Sequence, residues 1–146
     1  MIARFKYGNL RFLADNLGDL LARRIPNEEL HGFQVVPVPL HRKRQKSRGY
    51  NQSALLGKSV SEKLGLQYEP NGLVRVRDTD SQVGRNTRDR SANVRHACGG
   101  GSADFDGKDI LLVNDISTTG ATLEACAKAC RSAGASSVRA AVVARG

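Results

Sequence analysis

The segment Ile110 to Thr122, ILLVNDISTTGAT, constrains the fold more than any other part of this 146-residue chain. Ile110, Leu111, Leu112 and Val113 form an unbroken apolar run, and such a run fits a strand covered on both faces, the condition of strands in parallel sheets. Asn114 and Asp115 then put polar groups at its carboxyl end, where open α/β sheets bind ligands. Ser117, Thr118, Thr119, Gly120, Ala121 and Thr122 follow, and Leu123 opens a helical pattern through Ala125, Cys126, Ala129 and Cys130. Unpaired N–H groups and the positive dipole end of a helix start favour an anion, and the hydroxyls add donors. The group expected there is a phosphate.

The flanking segments supply the elements that such a strand needs around it. Leu10, Leu13, Leu17, Leu20 and Leu21 recur at helical spacing and predict an amphipathic first helix, with Arg23 and Arg24 at its C-terminal end where they suit the dipole. Gln34 to Val38 reads as a strand running through Pro39 into a basic loop. Ala54, Leu55, Val60 and Leu64 predict a second helix ended by Gly65, and Leu73, Val74 and Val76 a short strand. Arg77 to Gly107 lacks apolar periodicity and contains Gly99, Gly100 and Gly101; a stretch of that length in a compact domain reads as a lid. After the Ile110 strand come its helix, to about Ala133, and a last strand from Ser137 to Ala144. Strands alternating with helices predict an α/β fold, a mainly parallel central sheet flanked by helices, in one domain spanning 1–146.

The formal charge of +9 matters because it is clustered. Arg42, Lys43, Arg44, Lys46 and Arg48 share one segment without an acid, and Arg75, Arg77, Arg85, Arg88, Arg90 and Arg95 populate another. Both suit an anionic ligand, although charge runs also serve as solvated surface. No apolar run approaches the ~20 residues of a membrane helix, and the first residues lack the apolar core of a signal peptide. The expectation is a cytoplasmic protein without membrane insertion. Cys126 and Cys130 stand one helical turn apart among alanines, as packing residues rather than a metal site, and His31, His41 and His96 have no ligand spacing. Gly57-Lys58-Ser59 imitates the end of a phosphate-binding loop, but Gln52 stands where its first glycine is required and the segment falls inside a helix.

Three blocks in order carry a wider likeness: Val36 to Val60 (VPVPLHRKRQKSRGYNQSALLGKSV), Arg75 to Val94 (RVRDTDSQVGRNTRDRSANV) and the closing SSVRAAVVARG. With ILLVNDISTTGAT they resemble the ComF/GntX family of the type I phosphoribosyltransferase superfamily, a branch associated with competence and DNA utilisation. The resemblance implies a type I phosphoribosyltransferase fold with a flexible flap, and a ligand, 5-phosphoribosyl-1-pyrophosphate (PRPP) or another ribose phosphate, bound with Mg2+. By the same resemblance, Asp115 and Asn114 face the ribose as the catalytic pair, with no direct protein metal site: Mg2+ comes through PRPP, and Asp115 is the one candidate carboxylate toward it. Ser117, Thr118, Thr119, Gly120, Ala121 and Thr122 cradle the 5-phosphate. Arg48, helped by Lys43 and Arg44, takes the pyrophosphate, and Gln82, Arg90 and Asn93 belong to the flap. The family's N-terminal cysteine-rich zinc module is expected to be absent ahead of Phe5.

Asn114 departs from the family pattern, which has an acid there. An amide can still hydrogen-bond a hydroxyl but carries no charge. Transfer through an oxocarbenium-like ribose would lose electrostatic stabilisation, and a loss of ~3 kcal/mol slows turnover on the order of a hundredfold. Three function classes stay open at this point. They are phosphoribosyl transfer to a nitrogen acceptor, a PRPP or nucleotide sensor with weakened catalysis, and a single-stranded-DNA-binding accessory of DNA uptake, with a homo-oligomer or a competence-machinery partner in view.

Overall fold

A computed structural model describes residues 10–40, 51–75, 98–100, 104–117 and 120–145. Helix α1 spans Leu10–Arg24 and leads through a 3-10 turn, Asn27–Leu30, into strand β1, Gln34–Pro37. Helix α2, Gln52–Leu64, is followed by strands β2, Gln67–Tyr68, and β3, Leu73–Arg75. Strands β4, Cys98–Gly100, and β5, Asp109–Ser117, precede helix α3, Ala121–Ser132, and strand β6, Ser137–Arg145. The main sheet has the order β2-β1-β5-β6 with every neighbouring pair parallel, and β3 and β4 form a separate antiparallel pair. The expected α/β fold with a mainly parallel sheet is the one observed.

Side-chain alternation along the central strands builds two cores. Val35, Leu111 and Val113 face one side and pack with Ala14 and Leu17 of α1 and with Leu56 and Val60 of α2. Val36, Ile110 and Leu112 face the other and pack with Leu73, Phe105, and Cys126 and Cys130 of α3. Strands buried on both faces have no use for polar alternation, which is why Ile110 to Val113 reads as continuous apolar sequence. Both α3 cysteines are fully buried in this second core, as their spacing predicts.

The helices end where their sequences say. Asn51 caps α2, its side-chain oxygen accepting from the Ser53 N–H at 3.0 Å, and Gly65 closes it in the left-handed conformation, φ 67°. Lys58 lies mid-helix and exposed, so Gly57-Lys58-Ser59 forms no phosphate loop. At Gly18 the two helices of the first core meet so closely that a Cβ would stand 2.6 Å from the Ser59 Cβ. Ser59 in turn donates to Asp15 (3.1 Å), which also pairs with Lys63 (3.3 Å). The Ser59 hydrogen bond, then Lys63, hold the Asp15 carboxyl below its usual range.

Three expectations are corrected. Leu20 is 56% exposed instead of facing the core with Leu17, because the apolar stripe of α1 is narrower than the leucine count suggests. The region expected to be loop from Arg77 to Gly107 contains β4 and the fully buried Phe105. Glycines score poorly for strands, yet Gly99 and Gly100 pair with Val74 and Leu73, and a single aromatic carries no periodicity to betray its burial. Finally, β5 runs on to Ser117, so the strand continues past Asn114 and Asp115 instead of ending at them.

Two predictions follow from this packing. Gly18→Ala should destabilise the chain by about 1–3 kcal/mol through overpacking against Ser59, read as a lower urea midpoint with unchanged slope. Burial pushes the Tyr68 hydroxyl, which donates to the Ala54 carbonyl at 2.7 Å, from 10.0 up to about 12. A raised acid stabilises the fold fully below its unfolded value and loses that contribution as pH climbs through the folded one. Between pH 10 and 12 the wild type should therefore lose more stability than Tyr68→Phe; parallel alkaline curves would contradict this.

Candidate functional site

The site is set by where the chain reverses its direction of travel across the sheet. From β1 it crosses by α2 to β2 on one side; from β5 it crosses by α3 to β6 on the other. Helices α2 and α3 consequently lie on opposite faces, and the carboxyl ends of β1 and β5, neighbours at Pro37 and Val113, flank a topological switch point. Both helices start at this end of the sheet, so two positive dipole ends approach it. Beyond Pro37, β1 stops while β5 continues on β6 to Ser117, which leaves Asn114 and Asp115 past the last residue pairing with β1.

Asn114 is 7% exposed. Its Oδ1 accepts from the Ser53 hydroxyl at 3.0 Å and from the Asp115 N–H at 3.0 Å. The side chain thus ties the first turn of α2 to the signature strand, across 61 residues of sequence. Asn51 adds a second tie, donating from Nδ2 to the Val38 carbonyl at 3.3 Å, so its capping side chain also holds the segment leaving β1. Asp115 is half-buried next to these anchors. Gly120 precedes α3 with φ 78°, a backbone setting that disfavours any side-chain-bearing residue, and its carbonyl accepts from the Glu124 N–H at 2.9 Å. Ala121 and Thr122 form the first turn of α3.

Of the residues expected at the site, the structure places Asn114, Asp115 and Ser117 in the last part of β5 and Gly120, Ala121 and Thr122 at the start of α3. Thr118 and Thr119 lie outside the described residues, as do Lys43, Arg44, Arg48, Gln82, Arg90 and Asn93. Sequence reasoning passed over Ser53. The available signal was its place on the face shared by Leu56 and Val60, three and seven residues on: a hydroxyl on an apolar helix face needs a partner.

A match to the phosphoribosyl transferase domain covers residues 50–146, well over half of the chain, and the chain belongs to that family. Its place within the family follows from its relatives. Competence protein F of Haemophilus influenzae is 32% identical over 146 residues, covering 95% of this chain and 64% of that protein. DNA utilization protein YhgH of Escherichia coli K12 is 30% identical over 145 residues, covering 95% and 63%. These relatives put the chain in the ComF branch of the superfamily. The chain spans just under two thirds of the length of these curated relatives. The fold is similar to that of glutamine PRPP amidotransferase from B. subtilis, with a TM-score of 0.62 and 21% identity over 92% of this chain and 27% of that one.

Ser53→Ala should cost about 1 kcal/mol, because it removes one of two donors to a buried oxygen. Asn114→Leu should cost more, since it strands the buried Ser53 hydroxyl as well as removing the acceptor for the Asp115 N–H. Chemical denaturation of the two variants reads the order directly.

Proposed function

We propose that this chain binds PRPP, or another ligand carrying ribose 5-phosphate, at the β5-to-α3 connection. The observation that carries the reading is the half-buried Asp115 near the end of β5, with a left-handed Gly120 opening α3, at the switch point of a phosphoribosyl transferase domain. The Asp115 carboxylate accepts hydrogen bonds from vicinal ribose hydroxyls. Backbone N–H groups of Gly120, Ala121 and Thr122, with the hydroxyls of Ser117, Thr118, Thr119 and Thr122, receive the 5-phosphate. Arg48, with Lys43 and Arg44, is assigned to the pyrophosphate because a guanidinium matches phosphate oxygens in pairs. Gln82, Arg90 and Asn93 are assigned to a flap that excludes competing water. One domain over residues 1–146, in the cytoplasm, is the setting proposed; among the described residues no helix is long and apolar enough to cross a membrane.

Mg2+ fits this site as a companion of the ligand. It prefers substrate phosphates, waters and one or two carboxylates over an all-protein cage, and Asp115 supplies the carboxylate. When bound it would neutralise pyrophosphate charge. The chain's own contribution is to hold the ribose with Asp115, fix the phosphate on α3 and keep the strand aligned through Ser53 and Asn114.

The neutral Asn114 is the reason to expect retained binding with slow transfer to a nitrogen acceptor. Where a second carboxylate would stabilise positive charge growing on the ribose, this chain offers an amide whose oxygen already serves Ser53 and the Asp115 backbone. Saturating Mg-PRPP, at about 100 times its dissociation constant, should stabilise the protein by ~2.7 kcal/mol in thermal unfolding. Asp115→Ala should abolish the shift, and no shift in the wild type would refute the reading. Asn114→Asp should raise any turnover on the order of a hundredfold, for a ~3 kcal/mol electrostatic gain; equal rates would refute the proposed cause.

The relatives' association with competence and DNA utilisation favours one other reading, engagement of single-stranded DNA by the basic segments. Affinity for an oligonucleotide would then fall steeply with salt, and Mg-PRPP binding would not be required for it.

A further inference from the structure

The edges of the main sheet are unequal. At one side β2 has only two residues, too few to template another strand. At the other, β6 has nine, Ser137 to Arg145, and among the described residues it pairs on one side alone, with β5. Long open edges are ordinarily blunted by proline, lysine, a bulge or a covering element. Strand β6 contains no proline and no lysine. Of its two arginines, Arg145 stands at the very end of the strand, and Arg139 is held against its own chain: Nη1 pairs with Glu29 Oε2 at 2.8 Å, and the guanidinium sits 5.6 Å from the centre of the Phe33 ring. Ala140 to Ala144, AAVVA, is left as an uncharged edge, and none of its side chains is buried, whereas Ile110 to Asn114 of the adjacent strand all are.

We propose that the β6 edge is an interface for a second copy of this chain, joined antiparallel about a two-fold axis at Ala141 so that two four-stranded sheets become one. The strand's own sequence selects this partner and register. A two-fold normal to the sheet keeps each face on its own side, so opposed residues share parity. Centred on Ala141, all nine positions pair: 139 opposes 143, 140 opposes 142 and 137 opposes 145, so arginine meets valine or serine. Centred one residue later, Arg139 would face Arg145, a like-charge pair that destabilises a sheet. Small Ala140 and Ala141 at the centre admit close approach. The +9 charge of each copy opposes association at long range, so added salt, by screening it, should strengthen this contact.

Sedimentation velocity of the 146-residue chain tests the proposal. A species of twice 15.8 kDa should appear and grow with concentration and with salt. Replacing Ala140→Lys together with Val142→Lys sets like charges opposite each other twice across the axis and should weaken the dimer roughly tenfold or more. Ala140→Lys with Val142→Glu sets opposite charges there and should restore it. Hydrogen exchange keeps the test independent of those substitutions, because amides in Ala140 to Ala144 of the wild type should gain protection as concentration rises. A monomer at every concentration, a dimer indifferent to the charge pairs, or a dimer without added protection in β6 would each overturn the proposal.

Discussion

The parallel pairing of β1 with β5 is the contact on which the rest of the structure depends. Its register, Gln34 with Ile110 through Pro37 with Val113, brings together two strands that are 76 residues apart in sequence. Each continues into a crossover of its own, in opposite directions, so the helices must cover opposite faces and both must begin at the same end of the sheet. Without that pairing there would be neither two separate cores nor a crevice between strand ends. The apolar side chains that stabilise the pairing are the same ones that leave Asn114 and Asp115 as the first polar groups beyond it.

The polar groups at that end are organised as much for position as for chemistry. One buried oxygen, Asn114 Oδ1, receives the Ser53 hydroxyl and the Asp115 N–H. Helix α2 and the signature strand are therefore fastened where a ligand would lie, and Asp115 enters the site from a backbone whose N–H is already satisfied. An amide performs this fastening without placing a second negative charge beside Asp115. On the proposed function, structural security and full electrostatic catalysis make different demands on position 114, and the tie to Ser53 meets the first.

Much of this was legible from residue pattern, and the exceptions have physical causes. The four apolar residues Ile110 to Val113 announced a doubly covered strand, and Gly65 marked the end of α2. The hairpin of β3 and β4 was not, because Gly99 and Gly100 contribute pairing through backbone alone and leave no side-chain signature. The burial of Phe105 depends on Gly72, where a Cβ would come within 2.7 Å of the ring, a long-range fit that no local window contains. At the site, the residues at the end of β5 and the start of α3 could be placed in advance. The Ser53 to Asn114 tie could not, since it joins residues of separate elements 61 positions apart, a distance no local window spans.

The central claim is that the β5-to-α3 connection receives a sugar phosphate, and backbone NMR during titration with ribose 5-phosphate tests it most directly. The amide resonances of Asp115 to Leu123 should shift first and saturate together, with those at Ser53 following through Asn114, while β2 and the exposed face of α1 stay unchanged. Saturable shifts confined to another surface, or none in Asp115 to Leu123 when the ligand is in excess, would contradict it.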